Sequence, residues 1–241
     1  MSDAALVIMA KLPAVGQAKS RLSPALPAAE AAALYEALLL DTIERAARLQ
    51  HVQLAIALTP PEAVDYFRRI SPPGTRLLPI RCADIGDCLN QALGQLLADG
   101  HTEAVALNSD GPTLPLVYLR QAFAELDNTD VDVVLGPSED GGYYLIGLKQ
   151  PHPDLFRGIA WSTDRVTAQT LARAQAMGLQ VVQLPAWYDV DTATDLDRLL
   201  AELPTLPDDV LPHTRRLLNE WQQGGNTRTH TGTGSRRHDY R

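Results

Sequence analysis

The sequence predicts an α/β protein built on a mostly parallel, doubly wound sheet, and three observations carry that expectation. Apolar runs of strand length alternate with longer stretches whose apolar residues recur at helical spacing. The alternation continues to about residue 200 with no break in composition, as one sheet layered with helices requires. Residues 136–148, G-P-S-E-D-G-G-Y-Y-L-I-G-L, join two strand-like runs through a turn too short for a crossover helix, so the second run must be antiparallel.

In chain order, residues 4–10 are continuously apolar and read as a buried strand. Residues 27–49 read as a helix, with Tyr35, Leu39, Ile43 and Ala46 on one face. A strand over 52–58, a short helix over 61–70 and a strand over 76–80 follow. Residues 85–98 have helical periodicity, 103–107 are strand-like, and Pro115 opens a helix over 115–126, where its missing N–H costs nothing. The strand pair 131–135 and 143–148 precedes a helix over 164–177, a strand over 179–184, and helices over 193–202 and 208–222.

One domain is expected over residues 1–221. Residues 222–241, rich in Gly, Thr, Ser and Arg, lack apolar side chains to bury and are expected to form a disordered basic tail. That tail carries four Arg against one Asp, so the body is more acidic than the net charge of −8, which argues against a nucleic-acid partner. No apolar run is long enough to span a membrane, and no basic segment precedes the short run 6–10 as a secretory signal would require. Cys82 and Cys88 match no zinc spacing and mark no disulfide framework, so a cytoplasmic location is expected. Oligomeric state is not legible.

Ligands of such sheets bind beyond the carboxyl ends of the strands, and four polar segments fall there. After the first strand, Lys11, Lys19 and Arg21 surround the lone Gly16, a set suited to a phosphate chain or to a solvated basic loop. The segment fits neither of the common glycine-rich phosphate motifs. After the strand 103–107 comes N-S-D-G-P, in which Asp110 either starts an Asx turn or offers oxygen to a hard divalent cation. Glu139 and Asp140 occupy the turn before Gly141 and Gly142. Finally, W-Y-D-V-D-T-A-T-D ends the last strand; in extended chain Asp189 and Asp191 face one side, while Thr192 and Asp195 are spaced as a helix cap. Of the two, Asp191 is the favoured metal ligand, being nearest the helix start. Residues 84–90 open a helix, with capping the main role and Asn90 a candidate contact to a nucleotide. Trp161 is either a sugar-stacking platform or a core aromatic.

Acids and cations gathered on one sheet edge suit a nucleotide polyphosphate with Mg²⁺ or Mn²⁺, the acids holding the metal and the cations the phosphates. The stretches K-L-P (11–13), Gly16, K-S-R-L (19–22), S-D-G-P (109–112), 136–148, W-S-T-D-R-V (161–166) and D-V-D-T (189–192) also carry a family resemblance. The chain resembles GT-A-fold nucleotide-diphospho-sugar transferase-like proteins, in particular the bacterial radical-SAM-associated group labelled glycosyltransferase, with arsenosugar-biosynthesis members. The first loop and D-V-D-T are similar to those of 2-phospho-lactate guanylyltransferases.

The resemblance implies a Rossmann-like three-layer sandwich of the GT-A type, with a mostly parallel sheet and one antiparallel strand. It implies phosphate binding by Lys11, Lys19 and Arg21 and metal binding by Asp110 and Asp191. Asp140 would lie near the acceptor, where it is the candidate catalytic base if the enzyme inverts, and Glu139, Gly141, Gly142, Tyr143, Trp161, Ser162 and Thr163 would form the acceptor side. The expected activity is metal-dependent glycosyl transfer from a nucleotide-diphospho-sugar to a small-molecule acceptor. Nucleotidyl transfer from an NTP with release of pyrophosphate is the alternative, and a non-catalytic nucleotide-binding module the third reading. Two departures stand out: Gly111 replaces the Cys or Ser usual after the metal aspartate, and Asn108 replaces the first acid of a D-x-D pair.

Overall fold

The first strand, β1 (Ala4–Lys11), pairs in parallel with β2 (Val52–Thr59) on one side and with β4 (Glu103–Asn108) on the other. The computed structural model describes residues 3–22 and 25–228, with side chains to residue 223. Beyond β2 lies β3 (Arg76–Pro79); beyond β4 lie β6 (Tyr143–Leu148), β5 (Val133–Pro137) and β7 (Val181–Gln183). The seven strands take the order β3-β2-β1-β4-β6-β5-β7. As the short turn demands, β6 is antiparallel, and it lies between β4 and β5, antiparallel to both. The remaining neighbours run parallel.

Alternation along β1 sends Leu6, Ile8 and Ala10 to one face and Ala5 and Val7 to the other. The first face is covered by α1 (Ala28–Ala46), α2 (Val64–Ile70) and α4 (Leu116–Leu126), through Leu39, Ile43, Phe67, Leu119 and Phe123. On the second face lie α3 (Ile85–Ala98) and α5 (Val166–Ala176), through Leu89, Leu93, Leu96 and Ala174. The result is a three-layer sandwich. A third apolar cluster packs α6 (Ala193–Glu202) and α7 (Pro212–Arg228) against α1, around Leu34, Leu38, Leu199 and Leu218.

The expected elements are present, and their shifts have local causes. The helix expected from residue 164 begins at Val166, because residues 163–166 first form a turn in which the Arg165 N–H donates to Thr163 Oγ1 and the Val166 N–H to the Thr163 carbonyl. The short helix expected over 61–70 opens with a 3-10 turn, Pro61–Ala63. The last helix runs past residue 221, where the sequence placed the start of the tail, to Arg228; the remainder of that tail, 229–241, lies outside the described residues.

Cys82 and Cys88, which marked no disulfide framework in the sequence, form a disulfide with Cα atoms 5.2 Å apart. The turn that caps α3 makes the pairing possible: the Asp84 side chain accepts from the Asp87 N–H, and Asp87 accepts from the Ala83 N–H. Capping folds the six-residue separation back on itself to a span a disulfide can bridge. None of the described helices is long and apolar enough to cross a membrane.

Candidate functional site

The chain crosses from the β1-β2-β3 half of the sheet to the other half between β1 and β4, and a parallel sheet opens a crevice at such a reversal. The loops after β1 and β4 border this crevice, and the segment 187–191 closes it from the side of β5. The Val190 N–H donates to the Asp110 carbonyl, and the Glu139 N–H donates to the Trp187 carbonyl. Three loops distant in sequence are thereby fixed by main-chain bonds.

Two clefts meet here. The first, about 290 Å³, is lined by Lys11, Gln17, Lys19, Arg21, Tyr35 and Asp110, among others. The second, about 320 Å³, is lined by Asp140, Gly142, Tyr143, Trp161, Ser162 and Thr163, together with Asp164 and Asp189. Arg21, Ile85, Asp110 and Asp191 line both. The cations, the two aspartates favoured for the metal and most of the acceptor-side residues therefore border one continuous space.

At the junction, the Lys19 ammonium lies 2.8 Å from Asp110 Oδ1 and 2.7 Å from Asp191 Oδ1, with its side chain only 4% exposed. Burial alone would pull its pKa down, but the two carboxylates outweigh burial and hold it above its ordinary value. Lys19 was expected to face phosphates; here it bridges the two aspartates expected to bind metal. The Lys19 backbone is left-handed, φ 52°, a strained conformation maintained by its surroundings. Arg21 stays exposed, its guanidinium 3.6 Å from Asp191 Oδ2.

Below Lys19 lies Tyr35 of α1, which the sequence showed only as part of an apolar face. Its hydroxyl accepts from the Lys11 N–H at 3.0 Å and lies 3.0 Å from Ser109 Oγ, joining the loops after β1 and β4. Burial and then the Asp110 charge push its pKa up to about 12. Asp191 is held at the start of α6 by a full capping box between Thr192 and Asp195, and its own N–H also donates to Asp195. The cap thus leaves Asp191 on the border of both clefts.

Asp189 and Asp191 both border the second cleft, while Val190 between them is buried, as an extended chain dictates. Asp189 accepts from Asn108 Nδ2 and from Ser138 Oγ, each at 2.9 Å. Burial, followed by the nearby Asp110 charge, pushes the Asp189 pKa up to about 7. Gly111 accommodates this arrangement, because a Cβ there would approach Asp189 Oδ1 to 3.2 Å. Asn108 takes the place of a D-x-D acid and serves as the donor that anchors Asp189.

On the second cleft, Gly141 lies at φ 88°, and a Cβ there would come within 2.1 Å of the Asp164 carbonyl oxygen. Only glycine lets the Glu139–Gly142 turn abut the 161–164 loop. The Gly142 N–H donates to Asp140 Oδ1 at 2.9 Å, which orients an otherwise exposed carboxylate. Trp161 is pressed against the start of α3, where a Gly86 Cβ would meet its ring at 2.5 Å, and it packs edge-on against Tyr143. It is therefore both packed against the core and a wall of the cleft. The Thr163 hydroxyl is turned to the Ala160 carbonyl.

Three expected residues stand apart. Glu139 turns toward α6, 2.7 Å from Arg198 Nη1. Asn90 lines a separate cleft beyond Trp161, with Asp84 and Arg157. Gly16 closes an exposed turn at φ 76°, its loop bordering the first cleft through Gln17 and Lys19. Sequence reading missed Tyr35, Ser138 and Ile85; the position of Ser138 in the turn before Glu139 was the available signal.

A family model described as "Uncharacterized protein conserved in bacteria (DUF2064)" matches residues 42–163. No curated protein matches significantly. Among solved structures, a Desulfovibrio desulfuricans G20 protein provisionally assigned as a nucleotide-diphospho-sugar transferase is 31% identical. It superposes with a TM-score of 0.82, over 92% of this chain and 96% of its own. Two more distant structures share the fold. CMP:2-keto-3-deoxy-manno-octonic acid synthetase, complexed with CTP, has a TM-score of 0.55 at 14% identity, over 84% of this chain and 99% of its own. The 4-diphosphocytidyl-2C-methyl-D-erythritol synthase of Anaerococcus prevotii DSM 20548 has a TM-score of 0.57 at 9% identity, over 83% and 96%.

Proposed function

This chain belongs to the bacterial DUF2064 family, and we propose that it is a metal-assisted transferase taking a nucleotide-diphospho-sugar and a small-molecule acceptor. One observation carries the reading: a cation-lined cleft and a cleft lined by Asp140, Tyr143 and Trp161 share Asp110, Asp191 and Arg21 as a common border. Transfer needs donor and acceptor held in contact across such a border. The provisional description of the Desulfovibrio desulfuricans protein supports the same class. The resemblance of the 136–148 and 161–166 segments to the radical-SAM-associated glycosyltransferase group supports glycosyl transfer within that class.

In this reading Lys11 and Arg21 bind the donor's phosphates, with Lys19 behind them. Asp110 and Asp191 fit Mg²⁺ or Mn²⁺ as two hard oxygen donors whose shell phosphate oxygens and water would complete. Among the described residues no group of three or more His, Cys, Asp or Glu side chains could by itself hold a metal ion. When bound, the ion supplies neutralising charge to the departing diphosphate. Asp140 accepts the proton of the acceptor hydroxyl as its oxygen bonds to the anomeric carbon and the bond to the diphosphate breaks. Trp161 and Tyr143 give the acceptor an apolar wall.

A thermal-shift screen with Mn²⁺ over NTPs, NDPs and nucleotide-diphospho-sugars tests the reading. Ligand at about 100 times its Kd adds about 2.7 kcal/mol to stability. The expected result is the largest metal-dependent shift with one nucleotide-diphospho-sugar. A larger shift with an NTP, together with pyrophosphate release, would assign nucleotidyl transfer instead, and no shift would leave a non-catalytic module. In the active protein, Asp140→Asn should lower kcat by about 10²–10⁴-fold while leaving the donor-induced shift intact. Retained turnover in that variant would remove Asp140 from the role of base.

A further inference from the structure

We propose that Lys19 is a built-in counter-cation that competes with a divalent metal ion for the Asp110–Asp191 bracket. This rests on the metal-assisted reading of the site and adds an order to it: the metal is admitted as polyphosphate oxygens draw the ammonium away.

The geometry supports the competition. The Lys19 ammonium approaches one oxygen of each carboxylate at 2.8 and 2.7 Å, placing its charge between the two groups that would hold a metal. Its side chain is 4% exposed and the two aspartates 32% exposed, so the ammonium is cut off from solvent while the carboxylates stay open to an entering ion. A divalent ion entering this bracket with Lys19 in place would set two cations side by side in a poorly solvated space. The ammonium must therefore move. Among its described neighbours, the Tyr35 ring lies 5.9 Å from the ammonium, and the Asp189 carboxylate is already held by Asn108 and Ser138. The cleft in front of it, shared with Lys11 and Arg21, would offer anionic oxygens only when a phosphate chain fills it.

Lys19 also carries a left-handed backbone, φ 52°, just before the 3-10 turn Ser20–Leu22. A lysine there costs more than a glycine or asparagine would. Its ion pairs compensate for that cost, and a partner that relocates the ammonium acts directly on the loop bearing Arg21.

The test is Mn²⁺ binding without nucleotide, followed by the electron paramagnetic resonance of free Mn²⁺, for the full-length protein, Lys19→Met and Lys19→Arg. Circular dichroism checks that each variant is folded. Removing the charge in Lys19→Met should tighten Mn²⁺ binding by about tenfold or more, within the range of ordinary site couplings. Lys19→Arg keeps the charge and should remain within about threefold of the parent, well below that coupling range. Equal Mn²⁺ affinity in all three proteins, or weaker binding by Lys19→Met, would overturn the proposal.

A nucleoside diphosphate is then added. Its effect on Mn²⁺ affinity should be larger in the parent than in Lys19→Met, and Mn²⁺–nucleotide pairing in solution cancels from that ratio. A parent protein that binds no nucleotide, beside a Lys19→Met variant with tightened Mn²⁺ binding, would uphold the counter-cation and sink the transferase reading alone.

Discussion

Glu103 and Asp189 each bring a carboxylate into poorly solvated surroundings, but with different consequences. Asp189 has two hydrogen-bond donors and borders a cleft, so its raised pKa belongs to the site. Glu103 opens β4 away from it, where burial and then the Asp127 charge push its pKa up to about 7, Lys149 opposing them. A folded-state pKa above the unfolded value gives stability that is complete below about 4.5 and is lost as pH rises through about 7. Glu103→Gln should abolish that component. The melting-temperature difference between variant and parent should grow in the variant's favour from pH 4.5 to 8. A difference that stays constant over this window would show that Glu103 does not titrate with folding. Sequence could not separate the two acids, since both follow or open apolar runs and only their distant neighbours differ.

At the scale of elements, the caps do more than end helices. The Thr192–Asp195 box starts α6 and fixes the chain just before it, where Asp191 meets Lys19 and Arg21. Thr192→Ala removes the side-chain acceptor and should cost about 1 kcal/mol. For a protein of this size that is a fall of about 2–4 °C in melting temperature. Because Asp191 would lose its fixed start, nucleotide-plus-metal binding should weaken as well. Stability loss with unchanged binding would confine the cap to a structural role. This box was legible from T-A-T-D, as was the Asp84 cap of α3, because cap chemistry acts within four residues. The disulfide next to that cap was not legible. It depends on how the capping turn folds, and spacing alone leaves that open.

Across the whole molecule, the third apolar cluster joins α1 to the C-terminal helices α6 and α7. Asp41 of α1 is 3% exposed and accepts from the N–H groups of His213 and Thr214, each at 2.9 Å, and from the Thr214 hydroxyl at 2.6 Å. It acts as an N-terminal cap for α7 supplied from 172 or 173 residues away. Burial raises its pKa, while the Thr214 and His213 donors oppose the rise. Asp41→Ala leaves three donors without their acceptor and should cost about 2–4 kcal/mol. Hydrogen exchange should then speed up across α6 and α7 first, with the central strands staying protected. Uniform acceleration would mean that α7 is not a separable unit.

Local chemistry made the elements legible: strand and helix periods, proline at a helix start, glycine at turns and capping spacing are all read within a few residues. The sequence by itself therefore determined the layered α/β fold, the antiparallel β6 and the loops that hold the polar groups. It also placed Asp189 and Asp191 on one side of an extended segment. Tertiary structure alone decided that β6 lies between β4 and β5, that Lys19 reaches across 91 and 172 residues to Asp110 and Asp191, and that Glu139 turns away to Arg198. Those outcomes depend on which loops the strand order brings together and on which charges lose water there, and neither is encoded within any single segment.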